Sequence, residues 1–142
     1  RNNGNTYNYD PRYIFTGGGS AGAHLACNLN LFDGSANYGG YNINLTNVLA
    51  FADCWGSSPD RDRLYNYASL NSHSMPVFIV HGSSDQTVSV SESITLNNYL
   101  TAANAYVDFW QIPGETHGCP NHRPAISDSM SHFFNRVWKL RR

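Results

Sequence analysis

The sequence has little charge and no long apolar run. Of its 142 residues, 13% are charged and 41% are hydrophobic, and the net charge is -1. A nucleic-acid-binding protein usually carries a basic excess, and a disordered chain has fewer large apolar groups. A membrane-spanning helix needs about 18 consecutive apolar residues, whereas the apolar runs here are short, as at 48–52. These absences exclude nucleic acid as a partner and a membrane span, and they predict one folded domain.

Cysteine is also scarce. Cys27, Cys54 and Cys119 have no metal-binding spacing, and neither do the six histidines, so the sequence predicts no metal and no cofactor. Low charge with abundant Asn, Tyr, Ser and Gly is typical of secreted proteins, and we expect an extracellular location. A glycosylation acceptor begins at Asn44, a motif that also occurs often by chance.

Short apolar runs alternate with amphipathic segments of helical length. Strands are predicted at 13–16, 47–52, 76–80 and 106–112, with a tight turn at the glycines 17–19. Helices are predicted at 21–31, from an N-cap at Ser91 to 103, and from about Ser127 to the end. This alternation predicts an α/β fold, a parallel sheet with flanking helices.

The segment 18–22 reads Gly-Gly-Ser-Ala-Gly and fits the pattern G-x-S-x-G. In that pattern a serine stands on a sharp turn from strand to helix, flanked by the small residues Gly18 and Gly22 because the backbone is strained and closely packed. Ser20 would then be a nucleophile, and the N–H of Ala21 would face a developing oxyanion. The alternative is a glycine-rich turn that only connects the two elements.

An acid and a histidine follow two later strands. Asp85 lies in the loop after the third strand, and His117 lies in the loop after the fourth. Because the carboxyl ends of parallel strands meet at one edge of a sheet, both side chains are expected near Ser20. A serine hydroxyl needs such a base and acid to become nucleophilic. Asp53 and Glu115 remain alternative acids.

Three segments together resemble the α/β-hydrolase superfamily, in particular its carboxylesterase and feruloyl or acetyl esterase branches. They are the elbow region 9–25, the His-Gly-Ser-Ser-Asp segment 81–85, and the segment 113–118. The resemblance implies that Ser20 is the nucleophile, Asp85 the acid and His117 the base. It also implies that the Ala21 amide is one of two oxyanion donors.

The sequence departs from that superfamily at its start. Members carry several strands before the elbow, and the second oxyanion donor lies among them, so residues 1–142 resemble only the C-terminal half of the domain. Tyr13, Ile14 and Phe15 would then form an open apolar strand edge. We therefore expect an N-terminal portion in the intact protein, on the same polypeptide or on a partner chain, and weak or no activity for the chain alone.

The function that follows is serine-dependent hydrolysis of carboxylic esters through an acyl-enzyme. Substrates are expected to be small esters or acylated polysaccharides or phenolic compounds, with Trp55, Tyr65 and Tyr67 as candidate pocket residues. The alternative is a non-catalytic structural or interaction module that pairs with another chain through its open edge. A peptidase on the same fold is a further, weaker alternative.

The remaining polar side chains are predicted to be structural. Cys54 and Cys119 should both lie near the catalytic edge, where a disulfide would hold the histidine loop; two free thiols are the alternative. Cys27 is predicted to be a small buried apolar residue. His81 is predicted to support the acid loop. The other histidines predicted to be structural or solvated are His24, His73, His122 and His132.

Overall fold

Four parallel strands pair in their sequential order, and helices cover both faces of the sheet. The computed structural model describes residues 4–7, 10, 12–31, 48–58 and 75–140. The strands are β1 Ile14–Gly19, β2 Val48–Cys54, β3 Val77–Gly82 and β4 Val107–Ile112, and the helices are α1 Gly4–Tyr7, α2 Ala21–Leu31, α3 Val90–Ala102 and α4 Arg123–Leu140. This architecture confirms the predicted fold class. The predictions for Asn44, Tyr65, Tyr67 and His73 lie outside the described residues.

The two central strands are buried on both faces. Even-numbered residues of β2 and β3, such as Phe78, pack against Phe133 and Val137 of α4. Odd-numbered residues, such as Ile79, pack instead against α2 and Leu96 of α3. Successive side chains of a strand point to opposite faces, so an uninterrupted apolar run fills both cores. No helix in the described part of the chain is both long and apolar enough to span a bilayer.

β1 lies at an edge of the sheet. In the described ranges it pairs only with β2, with Gly19 opposite Cys54. Phe15 packs against Phe134 of α4 at 4.7 Å between ring centroids, and Tyr13 meets Trp138 edge to face. One face of the edge strand is therefore covered by α4.

Several boundaries differ from the predictions; β2 and β3, for example, end at Cys54 and Gly82, each two residues after the predicted end. The glycines 17–19 are the end of β1 rather than a tight turn, because residues without side chains pair closely with β2. Ser89 caps α3, with its side chain accepting the Ser91 N–H, so Ser91 lies in the first turn. Helix α4 begins at Arg123, one turn before the predicted start. Its first three residues are exposed, so no buried apolar side chain marks the start of the helix before Ile126.

Candidate active site

Ser20 occupies a sharp turn between β1 and α2. Its φ is 56°, in the left-handed region that non-glycine residues rarely adopt. The Ser20 N–H donates to the Cys54 carbonyl at 2.9 Å, which ties the turn to the end of β2. Such strain persists only where surrounding contacts enforce it. Ala21 follows as the first residue of α2, where the helix leaves N–H groups without internal acceptors.

The two glycines of the motif differ in their surroundings. A Cβ on Gly18 would lie 2.3 Å from the carbonyl carbon of Gly22, so only glycine allows β1 and α2 to approach this closely. A Cβ on Gly22 would meet no atom within 4 Å in the described residues. The predicted close packing therefore requires a glycine at position 18. The prediction that position 22 also needs a small residue is corrected, because a side chain there has room among the described residues.

Three predicted side chains form a continuous hydrogen-bonded array. His117 Nε2 lies 3.0 Å from Ser20 Oγ, and His117 Nδ1 lies 2.7 Å from Asp85 Oδ2. Because an ionised carboxylate only accepts, Nδ1 carries the proton and Nε2 is left to accept from the serine hydroxyl. The Asp85 side chain is fully buried, whereas that of His117 is 28% exposed. A substrate can therefore reach the histidine and the serine but not the acid.

Asp85 is stabilised in its ionised form by its own loop. Its Oδ1 accepts the Thr87 N–H at 2.8 Å and the Val88 N–H at 3.0 Å. Burial raises the pKa of Asp85, but the hydrogen bonds from Val88, His117 and Thr87 outweigh it and hold the pKa below its usual value. A carboxylate that accepts several N–H groups stays charged, as the anionic partner of a histidine must.

His81 is wholly buried behind Asp85. Its Nε2 lies 2.9 Å from the Val88 carbonyl and 3.2 Å from Asp85 Oδ2, and its Nδ1 lies 2.7 Å from Ser93 Oγ. A carbonyl can only accept, so Nε2 carries the hydrogen and Nδ1 accepts from Ser93. His81 thus links the acid loop to α3.

The acid and histidine loops are held together by backbone contacts. The N–H of Ser83 donates to the Ile112 carbonyl and that of Ser84 to the Glu115 carbonyl, both at 2.9 Å. The Gly114 N–H donates to Ser83 Oγ at 2.8 Å. A Cβ on Gly82 would lie 2.3 Å from the Glu115 carbonyl oxygen, so glycine is required for this approach.

The two alternative acids have other partners. Glu115 Oε1 lies 2.6 Å from His122 Nδ1. Asp53 is wholly buried beside α2, and its Oδ1 accepts the Gly56 N–H at 3.0 Å. Burial raises the pKa of Asp53 to about 6. Neither carboxyl makes a hydrogen bond to His117, so in the described residues Asp85 alone fills that position.

The cysteines do not form the expected disulfide. Cys27, Cys54 and Cys119 are all free and buried. Burial raises the pKa of Cys54 to about 12 and that of Cys119 to about 11. Oxidation proceeds through the thiolate, so these thiols are disfavoured as partners in a disulfide. Cys54 and Cys119 pack instead as small apolar groups in the same core.

The other described histidines lie apart from the array. His24 Nδ1 lies 2.9 Å from Ser57 Oγ, and His132 is exposed on α4. In the ranges that the structure describes, no three His, Cys, Asp or Glu side chains are grouped as a metal ion would require.

Two further side chains line the rim of this site. Trp55, already a candidate pocket residue, follows β2 with a φ of 44° and is half-buried. Arg123 lies over its ring, with Cζ 5.9 Å from the centroid. Arg123 is not among the predicted site residues, because it precedes the predicted start of the last helix. Proline is favoured in the first turn of a helix, so Pro124 could have indicated that the helix starts soon after His117 and that Arg123 lies near this histidine.

Comparison with known proteins places the chain among α/β-hydrolases. A model of the prolyl oligopeptidase family matches residues 4–141. No curated protein matches in sequence. A truncated carbohydrate esterase from gut microbiota is similar in structure, with a TM-score of 0.74, 22% identity, and coverage of 96% of this chain and 63% of that chain. The Zea mays acyl-protein thioesterase 2 gives a TM-score of 0.66 and 18% identity over 92% of this chain and 61% of that one.

A third similar structure is an acetyl ester-xyloside bifunctional hydrolase from Caldicellulosiruptor lactoaceticus. Its TM-score is 0.59 at 22% identity, over 82% of this chain and 52% of that one. The chain thus spans between 52% and 63% of the length of these three structures. Identities this low show the shared fold, and the resemblance to α/β-hydrolases is confirmed.

Proposed function

Because the chain belongs to the prolyl oligopeptidase family and joins Ser20, His117 and Asp85 by hydrogen bonds, we propose that it is a serine hydrolase acting on carboxylic esters. The observation that carries the proposal is the 3.0 Å contact between His117 Nε2 and Ser20 Oγ. These two residues are 97 positions apart in sequence, and their contact has the donor and acceptor arrangement that an activated serine needs.

The reaction would proceed through an acyl-enzyme. His117 Nε2 takes the Ser20 proton while Oγ bonds to the ester carbonyl carbon, and the carbonyl electron pair moves to its oxygen. The bond to the alcohol oxygen then breaks, and His117 gives its proton to that leaving oxygen. Water repeats the sequence on the acyl-enzyme and releases the acid.

The negative oxygen of the tetrahedral intermediate needs donors. The Ala21 N–H is the proposed first donor, since it opens α2 beside the nucleophile. A second donor from a portion preceding the elbow stays a prediction, as does the assignment of residues 1–142 to a partial domain. Loss of one such donor typically costs about 10² to 10³ in rate.

Replacing Ser20 by Ala in the intact protein tests the proposal. Turnover of short para-nitrophenyl esters and labelling by a fluorophosphonate should both be lost, because the nucleophile is removed. Ser127→Ala, which removes an exposed hydroxyl on α4, is the matched control and should leave both signals unchanged. Full activity in the Ser20→Ala protein would remove Ser20 from the role. Wild-type protein without activity or labelling would instead favour the non-catalytic module.

A peptidase is the second candidate function, and the family match favours it. The same array would attack an amide, with His117 protonating the leaving nitrogen. The similar structures that are named as esterases and a thioesterase favour ester substrates for the primary proposal. Measuring kcat/KM on an ester and an amide with identical acyl groups separates the two candidates.

The finer properties stay predictions. Acylated polysaccharides or phenolic esters are the proposed substrates, and an acetyl ester hydrolase is among the similar structures. An extracellular location is proposed on the low charge and the abundance of Asn, Tyr, Ser and Gly.

A further inference from the structure

Trp55 forms a wall of the candidate site next to the nucleophile. A Cβ placed on Gly19 would lie 2.9 Å from Trp55 Nε1, so the indole packs directly on the residue before Ser20. The backbone N–H of Trp55 donates to the Val80 carbonyl at 2.7 Å, which ties the Trp55 main chain to β3. The indole thus lies against Gly19, the residue before Ser20, while its main chain is held by the neighbouring sheet.

Arg123 joins this wall to the histidine loop. Its Nε donates to the Gly118 carbonyl at 3.2 Å, directly after His117, and its guanidinium lies over the Trp55 ring. At 5.9 Å from the ring centroid, the guanidinium is within the range of a cation–π contact. Arg123 thus contacts both Trp55, which packs beside Ser20, and Gly118, which follows His117.

No carboxylate in the described part of the chain neutralises the charge of Arg123. Arg12 is paired with Asp10, and Arg136 is paired with Asp108. Among the described residues, Arg123 has no carboxylate partner, although it is the arginine that borders the site. A planar guanidinium whose terminal N–H groups are free matches a carboxylate, which accepts two parallel hydrogen bonds from it.

We propose that Arg123 is a specificity-determining residue that binds a carboxylate on the alcohol part of the substrate, with a ring of that part against Trp55. This inference rests on the proposed ester hydrolysis. The side is assigned by the geometry of proton transfer: His117 must protonate the leaving oxygen, and Arg123 is anchored at Gly118, next to His117. The substrate class is acyl esters of hydroxy acids, such as acetylated phenolic acids.

The experiment measures hydrolysis of two acetate esters of the same shape by the intact protein. One is para-acetoxybenzoate, here the carboxylate, and the other is its neutral analogue para-acetoxybenzamide, here the amide; in both the acetate ester bond is cleaved. Arg123→Gln should lower kcat/KM for the carboxylate about tenfold, because a charge-assisted hydrogen bond is lost. The same variant should lower kcat/KM for the amide much less than for the carboxylate, since the amide has no charge for Arg123 to bind. Lys139→Gln is the matched control: it removes a cation about 24 Å further along α4, at 1.5 Å per residue, and should change neither value.

Salt gives a second measurement that needs no variant. Raising the salt concentration from about 0.02 M to about 0.5 M should lower the wild-type kcat/KM for the carboxylate and spare the amide, because salt screens exposed charges. An equal loss on both esters in Arg123→Gln would make Arg123 a structural support of the histidine loop and overturn the inference.

Two other outcomes also overturn it. One is an unchanged ratio of the two esters in Arg123→Gln with normal turnover of the amide, which leaves the proposed hydrolase function standing. The other concerns mono-para-nitrophenyl succinate, which carries its carboxylate on the acyl part, and the neutral para-nitrophenyl butyrate. If Arg123→Gln lowers kcat/KM for the succinate more than for the butyrate, the bound carboxylate lies on the acyl side. Absence of turnover and of Ser20 labelling in the wild type would instead be the failure of the proposed function itself.

Discussion

Replacing Asp53 by Asn tests whether a buried carboxyl destabilises the protein at neutral pH. Asp53 is wholly buried at the end of β2, and its Oδ2 has no hydrogen-bond partner among the described residues. Burial raises its pKa from 3.8 to about 6, against the Gly56 N–H and the charge of His24, which both lower it. Asparagine retains an oxygen for the Gly56 N–H but cannot ionise.

The sign of the effect follows from proton binding. Well below pH 3.8, the carboxyl is protonated in both states. Between that pH and about 6 the unfolded chain loses the proton while the folded protein keeps it. The free energy of unfolding therefore falls as the pH rises through this window. The difference between a pKa of 3.8 and one of about 6 corresponds to about 3 kcal/mol, and the loss is complete roughly one pH unit above the folded-state pKa. The Asp53→Asn protein does not lose stability in this way, because asparagine does not ionise.

Urea unfolding of both proteins between about pH 4 and pH 7.5 measures the effect. The stability of Asp53→Asn relative to wild type should increase by on the order of 3 kcal/mol across the range. Taking the difference cancels the titration of groups remote from Asp53. Asp128→Asn, an exposed change on α4, is the control and should give a nearly constant difference. The reasoning would be refuted by a difference for Asp53→Asn that is the same at both ends of the range.

Two further predictions concern the elbow and the histidine loop. Gly18→Ala should destabilise the protein by about 1 to 3 kcal/mol and reduce ester turnover, whereas Gly22→Ala should be neutral or slightly stabilising; equal melting temperatures would contradict the difference in their surroundings. Burial raises the pKa of Glu115, but hydrogen bonds from His122 and Asn121 lower it below 4.5, so its stabilisation is present above that pH and is lost as the pH falls. Glu115→Gln should have a lower melting temperature than wild type at neutral pH and should lose less stability on acidification. A melting temperature that falls with decreasing pH as steeply in the variant as in the wild type would rule this out.

The central elements could be predicted because their local signals agree. Residues 48–52 of β2 and 77–80 of β3 are apolar at every position, and α2 spans the predicted residues 21–31. The end of β1 could not be predicted, because three consecutive glycines indicate a turn unless it is known that a neighbouring strand pairs with them. The start of α4 was missed because its first turn has no buried residue before Ile126.

The grouping of three side chains at one sheet edge was predictable, but the geometry of their contacts was not. The position of Ser20, Asp85 and His117 after successive strands predicts a shared edge, because parallel strands end together. Their contact depends on the Ser83 and Gly82 contacts between two loops, which no local pattern encodes. The disulfide prediction was wrong for the same reason, since proximity at an edge does not determine whether two thiols are exposed and oriented for a bond.

The contrast between Asp53 and Asp85 supports the proposal that the acid of this site follows β3 rather than β2. Both carboxyls are buried at the same edge of the sheet, but the loop after β3 turns the Thr87 and Val88 N–H groups onto Asp85, whereas among the described residues Asp53 receives a single N–H. Burial therefore dominates at Asp53 and raises its pKa, while the donors dominate at Asp85 and lower it. Only a carboxyl that stays ionised can stabilise a histidine that gains a proton during the reaction. Exchanging the acid between the two strands would thus require moving backbone donors, not only the side chain.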